Sequence, residues 1–270
     1  MKIKGSEGGF FRVVDENEDI YIAQQLFVDR NPKSRIIADL KKAIEHLIVE
    51  RKGLFHNLPY IHFEGIKQVG GEYCLLRKGS DIYRPLYQYI KENEVPLETV
   101  KDWVITIAEI ALEAKKFGIV WQGITLNSLW ISADDKLMIM DPDIINELLR
   151  YQELVGVKPI EVYQAPEIIK GVSWNQQSLI YSIGIIMYYL VTGELPFTME
   201  HKSDYSKSDL VHDIINTRPI EPSYLNPRIA AELNDLIMSA LEKETELRIK
   251  DWETFLQVLK KLEVNAGKEE

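Results

Sequence analysis

The feature that most restricts the fold is a change near Gly79 from strand-like to helical sequence patterns. Upstream of it, FFRVV (10–14) and IYIAQQLFV (20–28) flank the acidic turn DENED, a pattern typical of a β-hairpin. Residues 35–51 carry apolar side chains at helical spacing, which predicts one helix. Two further strands are predicted around Gly70-Gly71. The chain therefore begins with a small strand-rich part that contains a single helix.

Downstream of Gly79, helical periodicity dominates. The predicted helices cover residues 83–92, 97–117, 178–192, 208–216, 228–242 and 250–262. Two short strands, LWIS and KLMIM, are predicted around the turn ADDK. The sequence thus predicts an α+β fold, with a small β-rich lobe in residues 1–79, a larger mainly helical lobe in residues 80–264, and a frayed tail in residues 265–270.

Composition narrows the range of partners and compartments. The net charge is −10, which disfavours nucleic acids and anionic membrane surfaces as partners. The single cysteine, Cys74, supports neither a disulfide framework nor a cysteine zinc site, so we expect a reducing, cytoplasmic environment. The N-terminal residues lack the apolar core of a signal peptide. The longest apolar run, residues 179–191, is too short and too polar to span a membrane.

Four segments in order resemble protein kinases. VYQAPEIIKG (162–171) is similar to the Ala-Pro-Glu segment that closes the kinase activation segment. IYSIGIIMYYLVTGELPF resembles the hydrophobic helix F, and ELNDLIMSALEKETELRIKDWETFLQVL resembles the end of the large lobe. IAEIALEAKKFGIVWQGITLNSLWIS is similar to helix E and the catalytic loop. The resemblance covers residues 3–262 and implies a bilobal kinase-like fold, with a structural ion pair between Glu167 and Arg248.

The glycine-rich loop, which covers the nucleotide phosphates in the family, is only partly present. SEGGFFRV, residues 6–13, places Gly8 at the second glycine of the pattern, whereas Phe11 stands at the third. A shift by one residue brings Gly9 and Arg12 into the pattern instead. A bulky side chain at the third position hinders close approach of the backbone to phosphate. The segment is therefore either a structural turn or a degenerate nucleotide loop.

The lysine that clamps the nucleotide phosphates is replaced. By its distance from the family's alanine, Gln25 stands at that position, and glutamine brings no charge. The usual glutamate partner of the lysine is best matched by Glu45, with Glu50 as an alternative. Arg12 could supply a cation from a displaced position, although an arginine differs from a lysine in geometry.

The catalytic loop lacks the proton acceptor. WQG, residues 121–123, replaces the family's His-Arg-Asp, and Gly123 cannot accept a proton. Thr125 replaces the catalytic-loop lysine, and Ser128 stands at the metal-binding asparagine. Loss of a positioned general base alone lowers a rate by roughly 10²–10⁴-fold. The aspartate that begins the family's helix F is replaced by Leu179, which removes a brace of this loop.

The metal-binding Asp-Phe-Gly of the family is DPD, residues 141–143. Asp141 is retained. Asp141 and Asp143 could together bind a divalent cation such as Mg²⁺ through carboxylate oxygens. Alternatively, DPD is a polar exit from a strand into a turn with nothing bound.

These departures favour a pseudokinase that works as a binding or regulatory module with a protein partner. The alternatives are an atypical active ATP-dependent kinase that uses Arg12 and Asp141, and a nucleotide sensor that binds ATP without turnover. The activation segment, residues 141–167, contains no serine or threonine, so phosphorylation of those residue types cannot switch it.

Overall fold

The computed structural model describes residues 2–7, 10–26, 34–79, 83–150, 161–197 and 206–265. The chain divides into two compact units. Unit 1 contains residues 1–87 and 127–158, and unit 2 contains residues 88–126 and 159–270. Unit 1 carries the strands and unit 2 is helical, which confirms the predicted α+β fold. The predicted lobe boundary at residue 79 stays a prediction.

The elements have the following bounds. The strands are β1 (Lys2–Glu7), β2 (Phe10–Val14), β3 (Ile20–Gln25), β4 (Tyr60–Ile61), β5 (Gly65–Val69), β6 (Glu72–Lys78), β7 (Arg84–Pro85), β8 (Leu129–Ile131) and β9 (Leu137–Met140). The helices are α1 (Ser34–Arg51), α2 (Leu86–Glu92), α3 (Leu97–Lys116), α4 (Pro142–Arg150), α5 (Pro166–Ile169), α6 (Gln176–Thr192), α7 (Lys207–Asn216), α8 (Pro222–Leu225), α9 (Ala231–Ala240) and α10 (Trp252–Lys261).

An antiparallel sheet forms the first part of unit 1, with strand order β1-β2-β3-β6-β5. One of its faces packs a small buried cluster, which comprises Val13, Ala23, Val69, Cys74 and Leu76. Side chains alternate between the two faces of a strand, so the neighbours of Ala23 on β3, Ile22 and Gln24, lie on the opposite face. This alternation decides which glutamine of β3 reaches the candidate site.

A second sheet of unit 1 has the order β4-β9-β8-β7. Strand β4 runs parallel to β9, with Tyr60 opposite Ile139 and Ile61 opposite Met140. Helix α1 packs against β5 and α4. The second sheet therefore brings Tyr60 beside the strand that leads directly into Asp141.

Unit 2 is built around α6, whose side chains are buried on nearly all sides, as expected for a helix in the centre of a domain. The helix begins at the cap Asn175, whose side chain accepts hydrogen bonds from Gln177 N and Ser178 N. It ends at Gly193, which has the left-handed conformation of a C-terminal cap. Helices α3 and α9 pack against α6, and α10 packs against α3.

Among the helices that the structure describes, none combines the length and apolar character needed to cross a membrane.

Candidate functional site

The Asp141 carboxylate is fully buried and receives four hydrogen-bond donors. The backbone N–H groups of Asp143 and Ile144 donate to Oδ1 at 2.8 and 3.2 Å. Arg51 Nε donates to Oδ2 at 3.1 Å, and the hydroxyl of Tyr60 donates to the same oxygen. A carboxylate offers about four acceptor positions. Hydrogen bonds from the protein therefore already occupy the oxygen lone pairs of Asp141 that a metal ion would need.

Arg51, the last residue of α1, is the cation of this cluster. Its Nε lies 3.1 Å from Asp141 Oδ2, its Nη2 2.9 Å from Asp143 Oδ2, and its Nη1 3.3 Å from Glu50 Oε2. Burial alone would lower the pKa of Arg51, but the charges of Asp141 and Asp143 outweigh it and raise the pKa. The guanidinium thus lies between the two carboxylates, where one of the two sequence-based alternatives placed a divalent cation.

Tyr60 closes the other side of Asp141. Burial, reinforced by the negative charge of Asp141, raises the pKa of the phenol, so its hydroxyl remains a donor. The ring packs at 4.6 Å from the Phe55 ring and at 5.1 Å from the His62 ring, measured between centroids. Neither Arg51 nor Tyr60 is among the residues predicted from the sequence, because each meets Asp141 only through long-range contacts.

Residues 141–143 do not lead from the strand into a turn, as one alternative predicted, because Asp141 caps the N-terminus of helix α4. Its Oδ1 accepts the first free N–H groups of α4, and Pro142 is the first helical residue. Aspartate at the cap and proline at the first position are both preferred at helix starts. This signal was present in the sequence and could have predicted α4. Asp143 lies in the first turn, where its negative charge is favourable.

Gln25 makes its described contact within the first sheet of unit 1. Gln25 Nε2 lies 3.4 Å from Glu72 Oε2, and Gln25 shares the strand face of Ala23. Gln24 occupies the opposite face and lines a small cavity with Met140, the residue before Asp141. Gln24 Oε1 is buried without a hydrogen-bond partner among the described residues. Gln24, on the other face of the strand from Gln25, thus lines the same cavity as the residue before Asp141.

The cavity beside Gln24 has a volume of about 20 Å³, the space of about one water molecule. It is bounded by both sheets of unit 1. Trp130 and Arg77 are both nearly buried in its wall, and the Arg77 guanidinium lies 4.2 Å from the centre of the Tyr83 ring. These large side chains fill the space next to β9.

The remaining candidates of unit 1 lie apart from the Asp141 cluster. Glu45 is exposed on α1 and pairs with Lys41 at 3.6 Å. Arg12 is exposed on β2, opposite Ile22 of β3. Ser128 is buried, and its hydroxyl has no hydrogen-bond partner among the described residues. Gly8 and Gly9 lie outside the described residues.

In unit 2, Gly123 makes room for an aromatic ring. Its backbone has φ +102°, and a Cβ atom there would lie 2.9 Å from the Trp174 ring. Side chains other than glycine rarely adopt this φ. An aspartate at this position would therefore meet both backbone strain and a steric clash.

Glu167 and Arg248 form the ion pair that the resemblance implied. Arg248 Nη1 and Nη2 lie 2.7 and 3.0 Å from the two carboxylate oxygens of Glu167, and Ser178 Oγ donates to the same carboxylate at 2.9 Å. Burial would raise the pKa of Glu167, but its hydrogen bonds to Arg248 and the arginine charge lower it. This geometry is that of a bidentate arginine–carboxylate pair.

Comparison with known proteins agrees with this architecture. The model of the protein kinase domain family matches residues 71–261. A probable serine/threonine-protein kinase of Clostridium acetobutylicum is 28% identical over 188 residues, which are 67% of this chain and 27% of that protein. The serine/threonine-protein kinase PknB of Mycobacterium tuberculosis is 28% identical over 170 residues, 59% of this chain and 26% of that protein. The chain thus spans about a quarter of the length of these relatives.

Proposed function

The chain belongs to the protein kinase family, and we propose that it is a pseudokinase that acts as a protein-binding, regulatory module. An active kinase needs a cation on β3, a proton acceptor in the catalytic loop and a metal ligand shortly after it. This chain has Gln24 and Gln25, Gly123 and Ser128 at those places. Phosphoryl transfer depends almost entirely on such positioned charges and metal ions. Their joint absence removes the means of catalysis while the Glu167–Arg248 pair preserves the scaffold.

The observation that carries this proposal is the saturation of Asp141. A metal ion could bind there only if it displaced Arg51, Tyr60 or the capping N–H groups of α4. Each displacement would leave a buried donor without its partner, at a cost of about 1–3 kcal/mol and more for the charged arginine. The one metal-binding residue retained from the kinase pattern therefore serves as a structural anchor of α1 and α4.

The space beside β9 supports the same proposal. Within the described residues, the cavity beside Gln24 has a volume of about 20 Å³, and a purine base would fit there only if Trp130 or Arg77 moved. We therefore propose that neither ATP nor Mg²⁺ is a cofactor of this protein. The cytoplasmic location expected from the single cysteine stays a prediction.

A phosphotransfer assay tests the proposal. Purified protein is incubated with labelled ATP and Mg²⁺ or Mn²⁺, with and without a generic protein substrate, beside the variants Asp141→Ala and Asp39→Ala. Asp39 is an exposed residue of α1 and controls for loss of a carboxylate in general. We expect no turnover in any sample. Turnover that disappears in Asp141→Ala but persists in Asp39→Ala would refute the pseudokinase assignment and favour the atypical active kinase.

Nucleotide binding without turnover is tested separately by thermal unfolding. A ligand at 100 times its dissociation constant stabilises a protein by about 2.7 kcal/mol, a readily measured shift. We expect no shift with millimolar ATP, with or without metal ion. A reproducible shift that Trp130→Leu alters would instead identify a nucleotide sensor.

A further inference from the structure

Two histidine rings lie beside the Asp141 cluster, in the part of unit 1 that follows α1. The His62 ring lies 5.1 Å from the Tyr60 ring and 5.1 Å from the His56 ring, measured between centroids. Tyr60 in turn donates its hydroxyl to the buried Asp141 carboxylate. His62 is therefore one ring contact away from a side chain that holds Asp141.

The two ring nitrogens of His62 have different surroundings. One ring N–H donates to the backbone carbonyl of Phe55. Nε2 is buried and has no hydrogen-bond partner among the described residues. A protonated ring would carry a second N–H at Nε2, and a buried charged donor without an acceptor is strongly unfavourable. The closed structure therefore accommodates the neutral ring and disfavours the charged one.

The ionisable groups that face His62 add to this preference. The loop between α1 and β4 contributes the exposed His56, whose positive charge, once it takes up a proton, opposes a second charge nearby. Strand β4 contributes Tyr60, which stays neutral because burial raises the pKa of its phenol. In the part of the chain that the structure describes, no carboxylate stabilises a charge on His62. Burial and the charge of His56 lower the pKa of His62, against the smaller effect of its bond to Phe55.

The loop that carries His56 is strained at Phe55. This residue has φ +63°, a conformation that bulky side chains rarely adopt. Its ring is nevertheless buried and packs 4.6 Å from the Tyr60 ring, while its backbone accepts the His62 N–H. Backbone strain persists only where the surrounding contacts hold it. Loss of the His62 contacts should therefore allow the loop to relax.

We propose that His62 is a pH-sensitive switch that opens the Asp141 cluster. When the ring takes up a proton, it moves from its place beside Tyr60 into water, which is near because the side chain is only half-buried. Phe55 then relaxes, and Tyr60, which has lost a ring neighbour, releases the Asp141 carboxylate. The junction between α1 and α4 is thus closed at neutral pH and opens in acid. The proposal does not depend on the pseudokinase assignment.

Proton linkage sets the pH range of the switch. In the open form, His62 lies in water and binds a proton with its ordinary pKa of 6.5, whereas the closed form binds one only at a lower pH. Between these two values, a falling pH favours the open form. Uptake of one proton raises the opening equilibrium by at most about tenfold per pH unit. Above pH 6.5, His62 contributes no pH dependence.

Hydrogen exchange of backbone amides tests the proposal on the ¹⁵N-labelled 270-residue chain. The α4 cap amides, Asp143 N and Ile144 N, donate to Asp141 Oδ1. The α6 cap amides, Gln177 N and Ser178 N, donate to the Asn175 side chain in unit 2 and serve as the internal reference. Protection is measured between about pH 5 and 8, relative to the rates of an unstructured chain. The α4 cap amides should lose protection below pH 6.5, with the midpoint of the His62 ring titration, while the α6 cap amides keep theirs.

Two matched variants identify the titrating group. His62→Phe keeps an aromatic ring beside Tyr60 but cannot take up a proton, so it should abolish the pH dependence at the α4 cap amides. His46→Phe on α1, whose side chain is 71% exposed, should retain it. If His62→Phe does not fold, His56→Gln replaces it and should move the midpoint to a higher pH, because the like charge beside His62 is gone.

Three results would overturn the proposal. The first is constant protection of the α4 cap amides across the pH range. The second is a parallel loss at the α6 cap amides, which would indicate unfolding of the whole chain. The third is a pH dependence that survives in His62→Phe, or a midpoint that stays in place in His56→Gln, since a group other than His62 would then carry the titration.

Discussion

Arg51 and Asp141 are 90 residues apart in sequence, yet Arg51 Nε lies 3.1 Å from Asp141 Oδ2. The Asp141 side chain is fully buried and that of Arg51 is 10% exposed. The pair joins the end of α1 to the start of α4. Arginine near the end of a helix is also favoured by the helix dipole.

Removal of Arg51 should destabilise unit 1 severely. Breaking a buried ion pair by removing one partner costs about 3–5 kcal/mol, because the other charge is left uncompensated. Arg51→Met should therefore lower the free energy of unfolding in urea by that amount. The control is Arg35→Met on the same helix. The Arg35 side chain is 94% exposed, and its loss should change stability by no more than about 0.5 kcal/mol. Equal effects of both variants would contradict the structural role of the pair.

Arg51 should also decide whether divalent cations bind. Without its guanidinium, Asp141 and Asp143 present two carboxylates that hard cations favour. Mn²⁺ should leave the unfolding temperature of the wild type unchanged and raise that of Arg51→Gln. The double variant Arg51→Gln/Asp141→Asn should lose this response. A metal-dependent rise in the wild type would show that the cation displaces Arg51 and would argue against the proposed function.

The sequence predicted the elements of this fold better than the site. Residues 35–51 and the strands around Gly70-Gly71 have strong local periodicity, and the structure has α1, β5 and β6 there. The Glu167–Arg248 pair followed from matching an ordered set of motifs. Such features can be predicted from the sequence because they depend on local periodicity or on the order of motifs, and not on which residues meet in three dimensions.

The contacts of the Asp141 cluster could not be predicted from local sequence patterns. Arg51 is one basic residue in a charged helix end, and Tyr60 is one aromatic residue after a loop. Both acquire their roles when β4 pairs with β9 and α1 packs against α4. The choice between Gln24 and Gln25 likewise depends on the strand face, and a shift of one residue reverses the face. The helix-start signal at Asp141-Pro142 is local, but the same residues also match the kinase Asp-Phe-Gly motif, which predicts a different role for them.

The Glu167–Arg248 pair should make unit 2 sensitive to acid. The pKa of Glu167 in the folded protein lies below its ordinary value of 4.5. Its contribution to stability is therefore fully present above pH 4.5 and is lost as the pH falls through the lowered folded pKa. Glu167→Gln should be less stable than the wild type near neutral pH, and this difference should shrink below pH 4.5. A difference that stays constant with pH would contradict the contribution of the ionised carboxylate.

Lys243 should make stability rise with pH a second time, in the alkaline range. Its Nζ donates to the Ile214 carbonyl at 2.7 Å and lies 4.3 Å from the centre of the Phe197 ring. Burial, with help from the nearby Arg248 charge, lowers its pKa from 10.5 to about 8. Between these values the unfolded chain binds more protons, so stability should rise with pH relative to a Lys243→Met variant. Unfolding in urea at several pH values, compared between the two proteins, measures this difference. Parallel profiles would show that Lys243 keeps its ordinary pKa.

An aspartate at Gly123, the position that the kinase resemblance assigns to the proton acceptor, should destabilise the protein. Gly123 has φ +102°, and any Cβ there would lie 2.9 Å from the Trp174 ring. Gly123→Asp and Gly123→Ala should each destabilise the chain by about 1–3 kcal/mol, because both introduce the same backbone strain and the same clash. Neither should show phosphotransfer.

A double-mutant cycle separates the two causes. Trp174→Leu replaces the ring that the new Cβ would strike with a smaller side chain, so it should reduce the destabilisation caused by Gly123→Ala. The part of that destabilisation that comes from the positive φ should remain. The coupling energy from urea unfolding of the four proteins measures the steric part. If the two changes are additive, the glycine is required by its backbone conformation alone. If they are coupled, the Trp174 ring also contributes to the requirement for glycine, because it occupies the space that a side chain at position 123 would need.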